Sequence, residues 1–335
     1  MKVAVLHAAV APQAAPDEED VLAEVEFVSQ ALSRLGYETT AVPFYLDIAG
    51  VMACLREVCP TFVFNLVDSV AGAGQLIHLA PALLDFLQIP YTGAGTDAIY
   101  LTSNKIVSKK VLAGSILRTP GWWLSKQVLQ GQVDWPGPFI VKSVWEHASI
   151  GLDEGSVVPT LELLRSRIRE GKVTRGFFVE AYVDGREFNL SLLAGKNGPE
   201  VLPPAEIQFV DYPEGKPRVV GYRAKWHEDS FEYRHTVRSF AFPDEDRRLL
   251  EKLASLAHDC WDLFGLRGYC RVDFRVDAEG QPWVLEVNAN PCISPDSGFV
   301  AAATRKGLHF DQVLARIIRD SLNRWDLPAD GNPPQ

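Results

Sequence analysis

Charged side chains that could hold a metal ion and a phosphate lie close together near the C-terminal end of the sequence. Arg271 and Asp273 alternate with apolar residues in the segment 270–276, which is typical of a strand with one buried face. After a short turn that contains a glycine, Glu286 and Asn288 alternate with apolar residues in the same way. The pattern predicts a β-hairpin that carries an arginine, two carboxylates and a carboxamide on one face.

The alternation also predicts how the two strands pair. Pairing Val276 with Gln281 places Arg271 opposite Glu286 and Asp273 diagonal to it. A slip of one residue would mix the apolar and charged faces, so we expect this register to be held.

The charged face of the hairpin suits one kind of chemistry. Asp273, Glu286 and Asn288 offer the oxygen ligands that Mg²⁺ prefers, and Mg²⁺ usually shares its coordination shell with phosphate. Arg271 beside such a site would neutralise an oxyanion or a phosphoryl group. The alternative is a solvated charged face with a simple cross-strand pair between Arg271 and Glu286.

The composition predicts a cytoplasmic protein of two or three domains. Its 335 residues exceed one usual hydrophobic core. A net charge of −10 argues against nucleic acid or an anionic membrane as a partner, because either would require a basic face. Five cysteines without a CxxC pair are typical of reduced thiols. The apolar run at the N-terminus is too short for a signal peptide, and no long apolar span follows.

The first hundred residues alternate between strand and helix patterns, which predicts a parallel α/β unit. The predicted strands are Lys2–Leu6, Thr39–Phe44 and Thr61–Asn65, and the predicted helices are Glu18–Leu35, Ala49–Val58 and Leu76–Leu87. Ligands of such units bind beyond the C-terminal ends of the strands, here near His7 and Asn65.

From Asn104 onward the pattern changes to α+β with antiparallel strands. The predicted elements are helices at Asn104–Ala113, Thr160–Arg169, Asp244–Phe264 and Asp311–Leu322, and strands at Phe139–Lys142, Phe177–Ala181 and Glu187–Leu193. The segment Pro203–Glu232 has few periodic features. We place the domain boundaries near Thr102 and Arg186.

Two lysines could reach an anion. Lys142 ends a buried strand, and Lys105 opens a helix. The segment 145–151 between Lys142 and the next helix could fold over phosphates through its backbone N–H groups. The alternative is that Lys142 is an edge residue whose side chain extends into water.

Two glutamates flank a turn at Asp184-Gly185. Glu180 could accept a hydrogen bond from the exocyclic amine of a base, and Glu187 could accept both hydroxyls of a ribose. The alternative is a simple hairpin with exposed acids.

In their chain order these positions resemble the ATP-grasp fold and, within it, the D-alanine–D-alanine ligase family. The matching positions are Lys105, Ile140–Lys142, Glu180–Glu187, Lys225, Arg271–Asp273 and Glu286–Pro291, together with Pro90–Gly95, Ser297 and Phe299–Lys306. The resemblance implies an N-terminal parallel α/β (pre-ATP-grasp) domain followed by a two-lobed ATP-grasp fold. The N-terminal α/β substrate domain would span residues 1–102, the first lobe 103–186, the second lobe with the metal site 187–327 and a flexible tail 328–335.

The resemblance also implies an ATP site with two Mg²⁺ ions, for which Mn²⁺ can substitute. The implied nucleotide-binding residues are Lys105, Lys142, Ser149, Glu180, Ala181, Tyr182, Val183, Glu187 and Lys225. Asp273, Glu286 and Asn288 would hold the metal ions.

The implied reaction is an amide ligation. ATP phosphorylates a substrate carboxylate, and the amine of a second amino acid attacks the acylphosphate. Arg271 and the backbone N–H of Cys292 would stabilise the tetrahedral oxyanion, and Lys225, on a lid, would reach the γ-phosphate. Ser297 would bind the carboxylate of the attacking amino acid, and Asp17 would contact the first substrate. The expected partners are amino-acid or other small carboxylate substrates and a second copy of the chain in a homodimer.

The sequence departs from the family pattern around the first substrate. The departures are Ala8–Pro16 in place of a glycine- and glutamate-bearing loop, Asn65–Asp68 in place of a His-Gly segment, Ala148 for a serine, Trp226 for a tyrosine and Cys292 for a glycine. We therefore expect a first substrate other than D-alanine. The alternatives are a genuine D-alanine–D-alanine ligase and, in another class, a nucleotide-binding sensor or scaffold without catalysis.

Overall fold

The computed structural model describes residues 1–10, 16–145, 151–174 and 176–325. Its N-terminal part is a parallel sheet in the order β2–β1–β3, covered by helices, as the sequence predicts. The elements are β1 Lys2–Ala8, α1 Pro16–Arg34, β2 Glu38–Phe44, α2 Ile48–Val58, β3 Phe62–Asn65 and α3 Leu79–Leu87. Leu6 of β1 pairs with Val42 on one side and Asn65 on the other, so all three strands end at the same edge.

Two consecutive helices connect this sheet to the rest of the chain. They are α4 Thr96–Ser103 and α5 Lys105–Ala113. Asn104 separates them, and its Oδ1 accepts hydrogen bonds from the backbone N–H groups of Ile106 and Val107, both at 3.1 Å. This N-cap satisfies donors that the first turn of a helix leaves unpaired. It fixes the direction of α5 and of the lysines that α5 carries.

The first antiparallel sheet has the strand order β4–β7–β5–β6. Its elements are β4 Trp122–Trp123, α6 Ser125–Leu129, β5 Phe139–Ser143, β6 Val157–Val158, α7 Leu161–Arg169 and β7 Phe177–Ala181. Ile140 pairs with Glu180, so Lys142, two residues further along β5, lies on the same face as Glu180. Side chains from the strands, α6 and α7 form the core on one side of this sheet.

The second antiparallel sheet follows the path β11–β10–β8–β12–β13, with β9 paired to β8. The strands are β8 Arg186–Leu193, β9 Glu200–Val201, β10 Ala205–Phe209, β11 Thr236–Ser239, β12 Tyr269–Val276 and β13 Pro282–Asn288. The helices are α8 Tyr222–Trp226, α9 Phe231–His235, α10 Arg247–Phe264, α11 Gly298–Arg305 and α12 Phe310–Arg324. The apolar face of α10 packs on β8 and β12.

The segment 203–232 is more regular than its sequence suggests. It contains β10 and α8 and runs into α9, and β10 pairs with β8 and β11. Elements of five residues are too short to show a periodic pattern. The structure of β10 comes from its pairing with β8 and β11, which lie outside a short sequence window.

The predicted register of the hairpin is wrong. Val276 pairs with Pro282 rather than Gln281, because the turn closes between Asp277 and Gln281, where the backbone N–H of Asp277 donates to the carbonyl of Gln281 at 3.2 Å. This shifts the pairing by one residue at the turn.

A bulge adds a second shift. Asp273 pairs with Glu286 and Phe274 with Val284, so Leu285 has no opposite residue on β12. Arg271 consequently lies opposite Asn288, not Glu286. The shift of two residues keeps the charged side chains on one face, which is why the predicted face is right although the predicted pairs are not.

Helices that could cross a bilayer are not found among the described residues, because none is both long enough and apolar enough.

Candidate active site

A cavity of about 720 Å³ lies between the two antiparallel sheets and extends to the end of β3. Its lining includes most of the predicted site residues: Lys105, Lys142, Glu180, Ala181, Tyr182, Val183, Glu187, Lys225, Arg271, Asp273, Glu286, Asn288, Cys292 and Ser297. Ser149 lies outside the described residues. Asp17 lies in the first turn of α1, where the side chains of residues 16–19 are outside the described part of the structure.

The charged face of the hairpin forms one wall of the cavity. Arg271 donates from Nε and Nη2 to the two carboxylate oxygens of Asp273 at 2.8 and 2.9 Å. Asn189 of β8 donates to Asp273 Oδ1 at 2.8 Å. Lys105 Nζ lies 3.1 Å from Glu286 Oε1. The carboxylates that would bind a metal ion are thus held in place by the cations that would bind phosphate.

The donor set of this wall fits Mg²⁺. Within the described ranges, no group of three or more His, Cys, Asp and Glu side chains is arranged as a metal site. Asp273 and Glu286 are cross-strand neighbours, and Asn288 adds a carboxamide on the same face. Mg²⁺ is typically held by one or two carboxylates and completes its shell with water and substrate phosphates, so a sparse oxygen set beside two cations suits a metal–nucleotide complex.

The opposite wall carries a buried ion cluster. Glu180 is 1% exposed, and its two carboxylate oxygens pair with Lys109 and with Lys142. Burial alone would raise the pKa of Glu180, but the two lysines outweigh it and lower that pKa. Lys109 is a residue that the sequence analysis did not single out. Its spacing of four residues from Lys105 on one helix was the available signal.

A second buried pair lies beside the proposed ribose position. Arg275 donates to Glu187 Oε2 from Nε at 3.0 Å and from Nη2 at 2.7 Å. Arg275 also donates to the carbonyl of Arg218, and Tyr182 Oη exchanges hydrogen bonds with the backbone of Arg218. The sequence analysis placed Arg275 on the hairpin but gave it no role. Its contacts tie the nucleotide-binding edge to the segment that covers the cavity.

That covering segment, residues 210–235, is the lid. Its helix α8 carries Lys225, which is partly buried at the cavity. The backbone N–H of Tyr222 donates to the carbonyl of Leu152 at 2.9 Å, and Lys216 pairs with Glu154. The lid therefore contacts the first lobe across the cavity. Burial and the neighbouring Arg271 lower the pKa of Lys225.

Comparison with known proteins agrees with this arrangement. Residues 112–319 match the family model described as D-ala D-ala ligase C-terminus. The chain is 30% identical over 316 residues to the D-alanine–D-alanine ligase of Synechococcus sp. (strain JA-2-3B'a(2-13)), covering 91% of this chain and 89% of that protein. It is 31% identical over 297 residues to the ligase of Aquifex aeolicus, covering 87% and 92%. The chain belongs to the D-alanine–D-alanine ligase family.

A solved structure supports the same fold. The D-alanine–D-alanine ligase from Bacillus anthracis, complexed with ATP, aligns with a TM-score of 0.72 at 20% identity and covers 97% of this chain and 98% of that one. Family membership makes the chain an ATP-grasp ligase that forms carbon–nitrogen bonds and uses ATP. The predicted family, fold class and enzyme class are confirmed.

One wall of this ligase is lined by acids that the sequence analysis did not identify. Glu24 of α1 is 6% exposed, and its Oε1 accepts a hydrogen bond from the backbone N–H of Ile293 at 2.6 Å. Burial, reinforced by Asp68 and Asp20, raises the pKa of Glu24 to about 8. Asp20 and Glu24 lie one turn or more beyond the start of α1, whereas the sequence-based assignment was limited to its first residues.

Cys292 links this acidic wall to the hairpin. Its side chain reaches the cavity, where its single Sγ–H donates to Asp20 Oδ2 at 3.3 Å, and Sγ lies 3.1 Å from Ser294 Oγ. Burial, together with Glu24 and Asp20, raises the pKa of the Cys292 thiol well above its ordinary value. The thiol is therefore kept neutral, and its Sγ–H serves as a hydrogen-bond donor to Asp20.

Ser297 lies at the N-terminus of α11. Its Oγ accepts from the backbone N–H of Val300 at 3.3 Å, which makes Ser297 the N-cap of that helix. The positive end of a helix dipole favours an anion, so a carboxylate at the mouth of α11 would be stabilised.

Proposed function

We propose that this enzyme joins the carboxylate of one amino acid to the amine of another, and that ATP activates the carboxylate as an acylphosphate. The observation that carries the proposal is the wall on which Asp273 and Glu286 are neighbours and are paired with Arg271 and Lys105. Bringing an anionic carboxylate to an anionic nucleotide requires positive charge at the point of contact.

The nucleotide would occupy the part of the cavity between the two antiparallel sheets. We assign its phosphates to Lys105 and Lys142, its adenine to the backbone of residues 181–183 beside Glu180, and its ribose to Glu187. Glu187 Oε2 is engaged by Arg275, which leaves Oε1 as the oxygen best placed to accept from a hydroxyl.

Asp273, Glu286 and Asn288 would hold two Mg²⁺ ions, or Mn²⁺ in their place. The metal ions would neutralise phosphate charge and keep the transferred group in line. The residues around them would have separate roles. Arg271 would stabilise the oxyanion, and Lys225 on α8 would contact the γ-phosphate.

Closure of the lid would protect the activated substrate. An acylphosphate hydrolyses in water, so the site must exclude solvent before it forms. The contacts of Tyr222 with Leu152 and of Lys216 with Glu154 support a lid that closes onto the first lobe.

The second half-reaction would take place near Cys292. Its backbone N–H and Arg271 would stabilise the tetrahedral oxyanion that forms when the amine attacks. The carboxylate of the attacking amino acid would bind at the N-terminus of α11, beside Ser297.

We further propose that the first substrate is an amino acid other than D-alanine whose ammonium group binds to Glu24 and Asp20. Glu24 is buried, and burial together with Asp68 and Asp20 raises its pKa, so a cation beside it would stabilise its ionised form. A substrate ammonium would supply that cation. Asp17, which the sequence offers as a partner for the first substrate from a shifted position, precedes Asp20 on α1 and remains a proposal for the same role.

The competing function is D-alanyl-D-alanine synthesis, which the names of the relatives support. Cytoplasmic location and a homodimer remain predictions from the sequence.

A substrate matrix tests the proposed specificity. We expect ADP release and amide product with another amino acid as first substrate, at a kcat/KM at least about tenfold above that of D-alanine, because Ala148 and Trp226 alter the pocket that the family forms around D-alanine, and a polar group left unpaired there costs about 1–3 kcal/mol. The measurement is coupled ADP release with mass analysis of products, for D-alanine alone and for panels of L- and D-amino acids and other carboxylates.

One variant of α1 tests whether the acidic wall binds the first substrate, and a second variant of the same helix controls for general effects of substitution. Glu24→Gln should raise the KM of the first substrate about tenfold without changing that of ATP. Glu26→Gln, an exposed change on the same helix, is the matched control. Efficient D-alanyl-D-alanine synthesis with no better substrate in the panel would restore the family's usual activity and contradict the proposed specificity.

A further inference from the structure

The buried lysine Lys109 connects three parts of the active site. It is 2% exposed and lies on α5, one turn after Lys105. Its ammonium pairs with Glu180 of β7 and donates to Thr119 Oγ1 at 2.7 Å. Thr119 in turn donates to the carbonyl of Val284 in β13 at 2.9 Å. Lys109 thus joins the first lobe to the strand that carries Glu286.

Glu180 is shared between two cations of different exposure. Lys109 is buried, whereas the side chain of Lys142 is 17% exposed and lines the cavity. The two lysines and one carboxylate sum to one positive charge. A pair of Lys142 and Glu180 alone would sum to zero and would offer little attraction to a phosphate.

The free-energy cost of moving Lys142 from Glu180 toward a phosphate depends on whether Lys109 is present. With Lys109 present, Glu180 keeps a buried partner when Lys142 leaves. Without Lys109, the departure of Lys142 would leave a buried carboxylate unpaired, which is strongly unfavourable.

We propose that Lys109 is a positioning residue for ATP binding: it holds Glu180 permanently, so that Lys142 is free to transfer from Glu180 to the nucleotide phosphates. The inference rests on the proposed role of Lys142 as a phosphate ligand. Lys109 itself is buried and is not part of the cavity lining.

The test compares ATP affinity in four variants of the full chain. Lys109→Met should weaken ATP binding at least about tenfold, because Lys142 is then held by Glu180. Lys109→Arg, which keeps a positive charge beside Glu180, should retain most of the ATP affinity, because Glu180 then still has a buried partner when Lys142 leaves. Lys110→Met, an exposed change on the same helix, should bind ATP normally. Lys142→Met should weaken ATP binding whether or not Lys109 has the role proposed.

The readouts are the Kd of Mg–ATP by calorimetry, the separate KM and kcat values for ATP, and the melting temperature of each variant. A purely structural Lys109 would lower the melting temperature of Lys109→Met while ATP affinity stays within about threefold of the unmodified protein; that result overturns the inference. If Lys109→Met does not fold, Lys109→Gln, which also removes the charge but keeps a polar group near Thr119, takes its place: a loss of ATP affinity of at least about tenfold supports the inference, and affinity within about threefold overturns it. An unchanged Kd in Lys142→Met would refute the phosphate role of Lys142 and this inference with it. Weak binding in Lys142→Met with normal binding in Lys109→Met would overturn only the inference.

Discussion

Glu286→Gln and Asp273→Asn are each expected to lower turnover by about 10²–10³-fold while the protein remains folded. Each change removes one charge from the wall where metal ions and phosphates would meet, and loss of one charge-stabilising group typically has an effect of this size. Both substitutions keep the side-chain shape, and both residues lie on the cavity face rather than in the apolar core. The measurement is steady-state ADP release over a range of Mg²⁺ concentrations.

The matched control is Glu279→Gln, an exposed change in the turn of the same hairpin, which should leave turnover unaffected. Melting temperatures without ligand should stay close to that of the unmodified protein in all three variants. Near-normal turnover of both site variants at saturating Mg²⁺ would show that these carboxylates do not hold the metal ions.

Lys225→Ala is expected to abolish most ATP turnover, by about 10²-fold or more, with little change in the melting temperature of the ligand-free protein. Lys225 lies on the five-residue helix α8 of the lid. Burial and Arg271 lower its pKa, so its positive charge is disfavoured at this position and does not stabilise the fold. A γ-phosphate beside Lys225 would favour its charged form. We therefore expect Lys225 to contribute to the reaction rather than to folding.

Single-turnover measurements with enzyme in excess over ATP, together with thermal unfolding, would separate the effect on the reaction from the effect on stability. Glu228→Ala, an exposed change just after α8, serves as the control. A large loss of stability in ligand-free Lys225→Ala would mean that the residue is structural.

The parts of the site that could be predicted from the sequence are those with local patterns. The alternation around Arg271 and Asp273 identified the hairpin face, because the side chains of a strand alternate whatever its exact pairing. The predicted register was wrong, because the bulge at Leu285 depends on how β13 packs and cannot be recognised from the alternation of residues.

Long-range contacts account for the rest of what was missed. Lys109 resembles any other lysine of an amphipathic helix until β7 places Glu180 beside it. Glu24 acquires its environment only when the segment around Ile293 packs against α1. β10 forms because β8 offers a partner, and β11 forms because β10 does, which a short sequence window cannot reveal.

The central claim is that a carboxylate is activated by phosphoryl transfer before an amine attacks it. The most direct measurement uses the best amino-acid pair from the substrate matrix, with the first substrate labelled by ¹⁸O in its carboxylate. Attack of that carboxylate on the γ-phosphate, followed by expulsion of phosphate by the amine, transfers one carboxylate oxygen to inorganic phosphate. The account therefore predicts one ¹⁸O atom in phosphate for every amide bond formed, as measured by mass spectrometry. Amide formation accompanied by unlabelled phosphate would contradict it.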